Sequence, residues 1–280
     1  MTRALRHLTA ILTALLLLFG CAAGEDSPAL LQVHQIAIGQ ADAYLIKCGE
    51  TAVMIDGGNA KKHTPDDLMD YLGQAGFDSL DACIVTHYHT DHAGNLNLLL
   101  REFGREDTQV FGPTKELDKR FLPLAAGEYL PLRDGDEVTI GPLKFTCVGP
   151  ATVDHKGNDN EDSLNILMTY GKRTFLFTGD AVRSQSVMQR HGAMLKDIDV
   201  LKFPHHGIQP FAIEETALKA LNPKVILVPG LGGWGVQDLV WKNGMRAAVC
   251  AANEGHVVIL SDGNSLDVLT DVQPGQFSQR

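Results

Sequence analysis

Three histidines and an aspartate, His87, His89, Asp91 and His92, fall within six consecutive positions directly after the apolar run of residues 82–86. With 11 histidines among 280 residues, composition alone does not gather three beside a carboxylate. A loop leaving a strand can turn alternate side chains toward one point, so His87 and His89 can grip one cation while Asp91 and His92 reach a second. Imidazole and carboxylate together suit zinc, manganese or iron better than soft Cu(I). The plainer alternative is a histidine-rich surface loop, and the spacing favours the metal.

The rest of the chain supplies a scaffold of alternating strands and helices. Residues 31–38, 43–48 and 51–55 read as short strands in a meander closed by Asp56-Gly57-Gly58. Residues 65–73, with Pro65 near the start and acids in the first turn, suit a helix. A buried strand over 82–86 and a helix over 93–103 follow. Beyond these, Asp134-Gly135-Asp136 reads as a hairpin-like turn between strands at 130–133 and 138–140, and residues 163–170 and 173–178 as a hairpin across Gly171-Lys172. A helix over 181–191, a strand over 200–203, a helix over 213–221, a strand over 224–228 and a final run of strands over 246–269 complete the chain. Two strand-rich halves, each followed by helices, predict an α/β fold of two sheets packed face to face with helices outside. Trp234 and Trp241 fall in a late segment, 230–244, for which packing against apolar neighbours is expected.

Arg3 and Arg6 precede an apolar run over 8–19, which ends at Gly20-Cys21. About a dozen apolar residues make a secretory signal and fall short of the roughly 20 that a spanning helix needs. The ending Leu18-Phe19-Gly20-Cys21 resembles the lipobox of bacterial lipoproteins, which implies a lipid on Cys21, with simple secretion as the alternative. The expected organisation is a signal over 1–20, a linker over 21–30 and one domain over 31–272. Loss of the signal removes two arginines and no acids, moving the formal charge from -10 to -12. An acidic chain without a basic run lacks the phosphate-neutralising surface that tight binding of long nucleic acid requires. Cys48, Cys83, Cys147 and Cys250 form no CxxC pair and sit in apolar runs, so four buried free thiols are expected and a zinc-cysteine cluster is not.

The pattern HxHxDH followed by Ala93-Gly94-Asn95 resembles the signature of the metallo-β-lactamase superfamily, which implies an αββα four-layer sandwich. Within it the chain looks most like the extracytoplasmic hydrolase domain of ComEC-type competence proteins. The residues that carry this are Ile38-Gly39-Gln40-Ala41-Asp42-Ala43, Ile55-Asp56-Gly57-Gly58, Ser163-Leu164, Phe177-Thr178-Gly179-Asp180 and Leu201-Lys202-Phe203-Pro204-His205-His206-Gly207. The resemblance implies two divalent ions, zinc or else manganese. His87, His89 and Asp180 would hold the first, and Asp91, His92 and His206 the second, with Asp180 bridging. The Gly-His-Thr type motif of many relatives is missing, which leaves the first position weakly held, and His155 is a candidate to fill it. A helix N-cap is the mundane reading of Asp180. The phosphorylcholine esterase branch implies His206 as the ligand and His205 as the substrate contact. Asp56 is expected to hydrogen-bond the ligand loop or a ligand histidine, while Gln40 and Asp42 read equally as cleft or ordinary turn residues.

Metal coordination lowers the pKa of water from 15.7 to about 7, so solvent held by the ions is the expected nucleophile. Asp91 and His205 are the residues expected to act on the reacting groups. The expected activity is hydrolysis of a small-molecule or oligonucleotide phosphodiester outside the cytoplasmic membrane. A lactonase or β-lactamase and a non-catalytic binding lipoprotein are the alternatives. The missing Gly-His-Thr motif argues against the first of these, and the intact HxHxDH, Asp180 and histidine pair against the second.

Overall fold

A computed structural model describes residues 28–61, 64–154, 156–157, 159–181, 184–208 and 213–272, so Cys21, His63 and His155 lie outside the described residues. One sheet holds eight strands, β1 (Leu31–Gln35), β2 (Ala43–Cys48), β3 (Thr51–Gly57), β4 (Leu80–Ile84), β5 (Gly104–Gly112), β6 (Glu128–Pro131), β14 (His256–Ser261) and β15 (Asp267–Val272), in the order β15-β14-β1-β2-β3-β4-β5-β6. The other holds seven, β7 (Glu137–Ile140), β8 (Leu143–Gly149), β9 (Asn165–Tyr170), β10 (Arg173–Phe177), β11 (Val200–Lys202), β12 (Val225–Val228) and β13 (Ala248–Ala251), in the order β13-β12-β11-β10-β9-β8-β7.

The strands read as near-continuous apolar runs because both faces of each sheet are covered. Alternate residues then divide between two environments. Val33, Tyr44, Ile46, Val53, Ile55 and Ile84 of the first sheet meet Phe145, Ile166, Met168, Phe175, Phe177 and Leu227 of the second in a central core. The intervening Leu45, Met54 and Cys83 face outward onto α1 (Thr64–Gln74) and α3 (Leu96–Phe103) through Leu68, Tyr71, Leu72, Leu96 and Leu99. On the other side Leu167, Leu176, Leu201, Phe203 and Val228 pack against α4 (Ser184–Leu195), α5 (Glu215–Leu221) and α6 (Gly233–Lys242) through Val187, Leu195, Leu218, Leu221, Val236 and Leu239. The layers are therefore helix, sheet, sheet, helix, as expected. Each fully buried Leu, Ile or Phe contributes roughly 1.5–3 kcal/mol, and these three clusters supply the bulk of the fold's cohesion. Cys48, Cys83, Cys147 and Cys250 are buried free thiols. No helix among the described residues is long and apolar enough to cross a membrane.

Four local features differ from the sequence reading. Residues on either side of Asp134-Gly135-Asp136 do not pair with each other, since β6 lies parallel to β5 and β7 antiparallel to β8. That turn carries the chain from one sheet to the other. Leu132 N bonds Gly112 O on one side, while Gly135 N and Cys147 O pair on the other. The final run of strands is likewise split, β13 closing one sheet and β14 and β15 the other. The helix expected over 93–103 is broken at Gly94-Asn95 into α2 (Thr90–Ala93) and α3, because the Asn95 amide donates to the carbonyls of Gly57 (2.8 Å) and Asn59 (3.2 Å). Finally, residues 233–242 form α6, whose glycine-rich start hides its periodicity. On it Trp234 and Trp241 are exposed, not packed.

The strands that carry the site share one direction. β3 and β4 are parallel, as are β10, β11 and β12, and the loops leaving their carboxyl ends meet across the seam between the sheets. Gly94 is one of the tight points of this junction. A Cβ there would lie 2.6 Å from Ala60 N and 2.9 Å from Gly58 O, both backbone atoms that cannot yield cheaply. Gly94→Ala is expected to lower stability by about 1–3 kcal/mol, the usual cost of overpacking. A thermal melt of metal-stripped protein measures this, and an unchanged melting temperature would show that the junction relaxes freely.

Candidate metal centre

The ligand loop is anchored before its histidines begin. Asp56, at φ 55 near the end of β3, accepts from Thr86 N (2.8 Å) and Thr86 Oγ1 (2.7 Å), which ties the exit of β4 to β3. Tyr88 points away from its neighbours His87 and His89. Its amide donates to Gly157 O (2.6 Å), and its hydroxyl meets Tyr129 Oη (2.8 Å) and Thr114 Oγ1 (2.9 Å). Asp91 and His92 then fall in α2, where the Asp91 carbonyl accepts from Asp42 N (3.0 Å).

Two further loops deliver the other residues. After β10, Gly179 takes a left-handed conformation at φ 52, where a Cβ would strike Ser163 and Thr86 at under 3.0 Å, and Ser163 Oγ accepts from Asp180 N (3.0 Å). Because α4 begins at Ser184, Asp180 does not hold its N-cap position. After β11, His205, His206 and Gly207 have φ of 51, 52 and 67. Successive left-handed residues outside glycine are costly, of order 1–3 kcal/mol each, and persist only where the surroundings impose them. This turn, and not a strand end, sends the two histidines apart. His206 is buried, whereas the His205 side chain keeps 23% of its surface exposed.

The rings of His92 and His206 repeat one arrangement. His92 Nδ1 lies 2.7 Å from Asp56 Oδ2 and its Nε2 3.2 Å from Asp180 Oδ1. His206 Nδ1 lies 3.0 Å from Asp42 Oδ1, and its Nε2 lies 3.2 Å from Asp91 Oδ2 and 3.4 Å from Asp180 Oδ2. A carboxylate on Nδ1 holds a proton there and turns Nε2 toward the cluster, so that loss of the Nε2 proton would free its lone pair for a cation, the arrangement by which histidines are prepared to bind metals. The His87 ring lies 4.2 Å from that of His92 at a tilt of 53° and meets that of His89 edge-on at 4.5 Å. His87 Nε2 is buried with no hydrogen-bond partner among the described residues. One ligand atom each from Asp42, His92, Asp180 and His206 fit within 4.8 Å of one another. Of these four, Asp42 suits an orienting role best, since it already holds His206 Nδ1 and the ammonium of Lys202 (2.5 Å). Orphaned imidazole nitrogens facing paired carboxylates fit divalent cations.

Electrostatics point the same way. Burial opposes a proton on His92, but Asp180, Asp42 and Asp56 outweigh it and lift its pKa to about 10. His206, also buried, is lifted to about 11 by Asp42 and by hydrogen bonds to Asp180, Asp42 and Asp91. Burial pushes His87 well down, and His92 reinforces it. Asp180 would be raised by burial, yet His92, His206 and Lys202 hold it well below the usual carboxylate range.

The structure thus brings His87, His89, Asp91, His92, Asp180, His206 and Asp56 to one place, with His205 at its edge, 4.0 Å from Asp180 Oδ2 and 3.3 Å from Asn160 Nδ2. Sequence reasoning missed Lys202 and left Asp42 undecided. The available signal was a single charge bracketed by apolar neighbours in each case, Ala41-Asp42-Ala43 and Leu201-Lys202-Phe203. Such a charge must find a partner once the segment is buried.

Imidazoles lifted above 6.5 contribute stability to the metal-free fold that is complete below that value and is lost as pH climbs through 10 to 11. At neutral pH both rings are protonated, and a cation must displace those protons. Uptake of Zn²⁺ or Mn²⁺ is therefore expected to release protons and to tighten as pH rises. Calorimetry in two buffers of different ionisation enthalpy counts them, and zero release near neutrality would contradict the arrangement.

Comparison with known proteins places this geometry. Residues 37–230 match the family model of the metallo-beta-lactamase superfamily. The chain is 26% identical over 239 residues to ComE operon protein 3 of Bacillus subtilis, covering 76% of this chain and 29% of that protein. It is 26% identical over 208 residues to Recombination protein 2 of Haemophilus influenzae, covering 72% and 24%. The chain thus spans less than a third of the length of these two relatives. A hydroxyacylglutathione hydrolase of Bdellovibrio bacteriovorus is 31% identical over 135 residues, 48% of this chain and 44% of that one. Among solved structures, the metallo-beta-lactamase fold protein YhfI of Bacillus subtilis superposes with a TM-score of 0.56 at 16% identity, covering 85% of this chain and 100% of that one. The chain belongs to the metallo-beta-lactamase superfamily.

Proposed function

We propose that the chain is a metal-dependent phosphodiesterase that acts outside the cytoplasmic membrane on small-molecule or oligonucleotide phosphodiesters. The observation that carries this is the division of labour at the 204–207 turn. His206 is buried among Asp42, Asp91 and Asp180, while His205 is left at the open edge of the same cluster. His87, His89 and Asp180 would hold one cation and Asp91, His92, Asp180 and His206 the other, zinc or manganese by donor type. When bound, such cations lower the pKa of water and neutralise the nonbridging oxygens of a phosphodiester. Asp91, whose side chain is 32% exposed, would accept a proton from attacking water. His205 can donate to a substrate oxygen or to the leaving group. Asn160 Nδ2 lies 3.3 Å from His205 Nε2 and would orient that ring at the edge of the cleft. Similarity to competence and recombination proteins supports the phosphodiester reading. A second reading, hydrolysis of an acyl compound, draws support from the hydroxyacylglutathione hydrolase.

Four substrates separate the two: bis-p-nitrophenyl phosphate, single-stranded DNA, a lactone and a cephalosporin, each offered to metal-analysed protein. Activity confined to the last two would sink the phosphodiester reading. His206→Ala should lose metal and nearly all activity. By contrast, His205→Ala should keep its metal and slow by ~10²-fold to 10⁴-fold, the range for acid-base help. Its deficit should be larger for an alkyl phosphodiester than for a nitrophenyl one, whose leaving group needs little protonation. A metal-free His205→Ala beside a metal-loaded His206→Ala would reverse the roles.

The extracytoplasmic site of action rests on the signal and on Cys21. Strand β1 runs the same way as β3, since both are antiparallel to β2, so β1 enters its sheet at the end remote from the ligand loops. A lipid on Cys21 would thus tether the protein through the segment that precedes β1. Cys21→Ala should release the protein from membranes or block its processing, and equal fatty-acid labelling of wild type and variant would refute lipidation there.

A further inference from the structure

Lys202 is a lysine on β11 with 1% of its surface exposed, placed where the two sheets meet. Its Nζ lies 2.5 Å from Asp42 Oδ2, donates to Gly179 O (2.6 Å) and lies 3.6 Å from Asp180 Oδ1. Each contact leads to a different part of the centre. Asp42 passes the constraint on through its other oxygen, which lies 3.0 Å from His206 Nδ1. The Gly179 carbonyl belongs to the left-handed residue that presents Asp180.

The two orienting carboxylates show why an ammonium is needed at this point. Asp56, behind His92, is satisfied by the amide and hydroxyl of Thr86. Asp42, behind His206, is buried and has no equivalent pair of neutral donors among the described residues. Its backbone is used by Asp91 O and Gly58 N, and its carboxylate faces His206 on one side and Lys202 on the other. A buried carboxylate without a partner would be expelled or would take a proton, and either change would release the His206 ring.

We propose that Lys202 is a positioning residue for the metal centre. Through Asp42 it sets the ring of His206, so that the centre is built before a cation arrives. This rests on the metal-centre part of the reading above and is independent of the substrate.

The test is calorimetric binding of Mn²⁺ or Zn²⁺ alone to the metal-stripped full chain, with its melting temperature as a second readout. Lys202→Met and Asp42→Asn should each weaken binding by ~10-fold to 100-fold, the range for residues that orient ligands. The double variant should be no worse than Asp42→Asn alone, because both act along one line of contacts. Lys202→Met that binds as well as wild type or tighter overturns the proposal, as do losses that multiply in the double variant. A lower melting temperature with unchanged affinity also overturns it, since that is the signature of a purely structural lysine. Should Lys202→Met fail to fold, the double variant, which leaves no unpaired charge, is compared with Asp42→Asn: equal affinity supports the proposal and a further loss overturns it. A wild type that binds neither ion would overturn the centre together with this role, whereas a binding wild type with unaffected variants would overturn the role of Lys202 alone.

Discussion

Asp42, Asp56 and Asp180 are buried where the two sheets meet, and the rest of the site is arranged around the cost of keeping them charged there. An unpaired buried carboxylate costs several kcal/mol, so each must be answered by donors at the same depth. Asp56 is answered by Thr86 and His92, Asp42 by Lys202 and His206, and Asp180 by both histidines. With Asp91 included, four carboxylates face one permanent cation among the described residues, and the histidines must be protonated or metal-bound to balance the remainder. The demand for positive charge is thus a property of the folded chain itself.

That demand is met by loops that the sheets hold in costly conformations. Asp56, Gly179, His205 and His206 all have positive φ, and three of the four are not glycine. Such strain is tolerable because the strands feeding these loops are buried on both faces and cannot shift without opening a close-packed core. Rigidity in β3, β4, β10 and β11 is therefore what allows a metal site to be preformed, and the parallel direction of these strands is what gathers their loops at one end.

The site was the most legible part of the sequence and the outer edges the least. His87, His89, Asp91 and His92 are neighbours in the chain, so their spacing marked the candidate cluster before any fold was known. The hairpin across Gly171-Lys172 and the strands around it were equally plain, because alternation and turn residues are local signals. Asp134-Gly135-Asp136 misled for the opposite reason. A turn that reverses a strand within a sheet and one that passes the chain to another sheet use the same residues, and only the partners Gly112 and Cys147 distinguish them. The exposed faces of Trp234 and Trp241 were likewise hidden, since an aromatic side chain in sequence is indistinguishable from a core residue until its helix has been placed.

By itself the sequence determined the chemistry available to this protein, namely the ligand types, their clustering after one strand and the apolar runs that force a layered sheet. Tertiary structure alone decided which histidine of the 205–206 pair enters the cluster, because that choice depends on two left-handed residues rather than on identity. It alone also decided that Asp42 and Lys202 belong to the centre. They stand 160 positions apart in the chain, on segments belonging to different sheets, and a charge pair of that separation exists only once the two sheets have closed on each other.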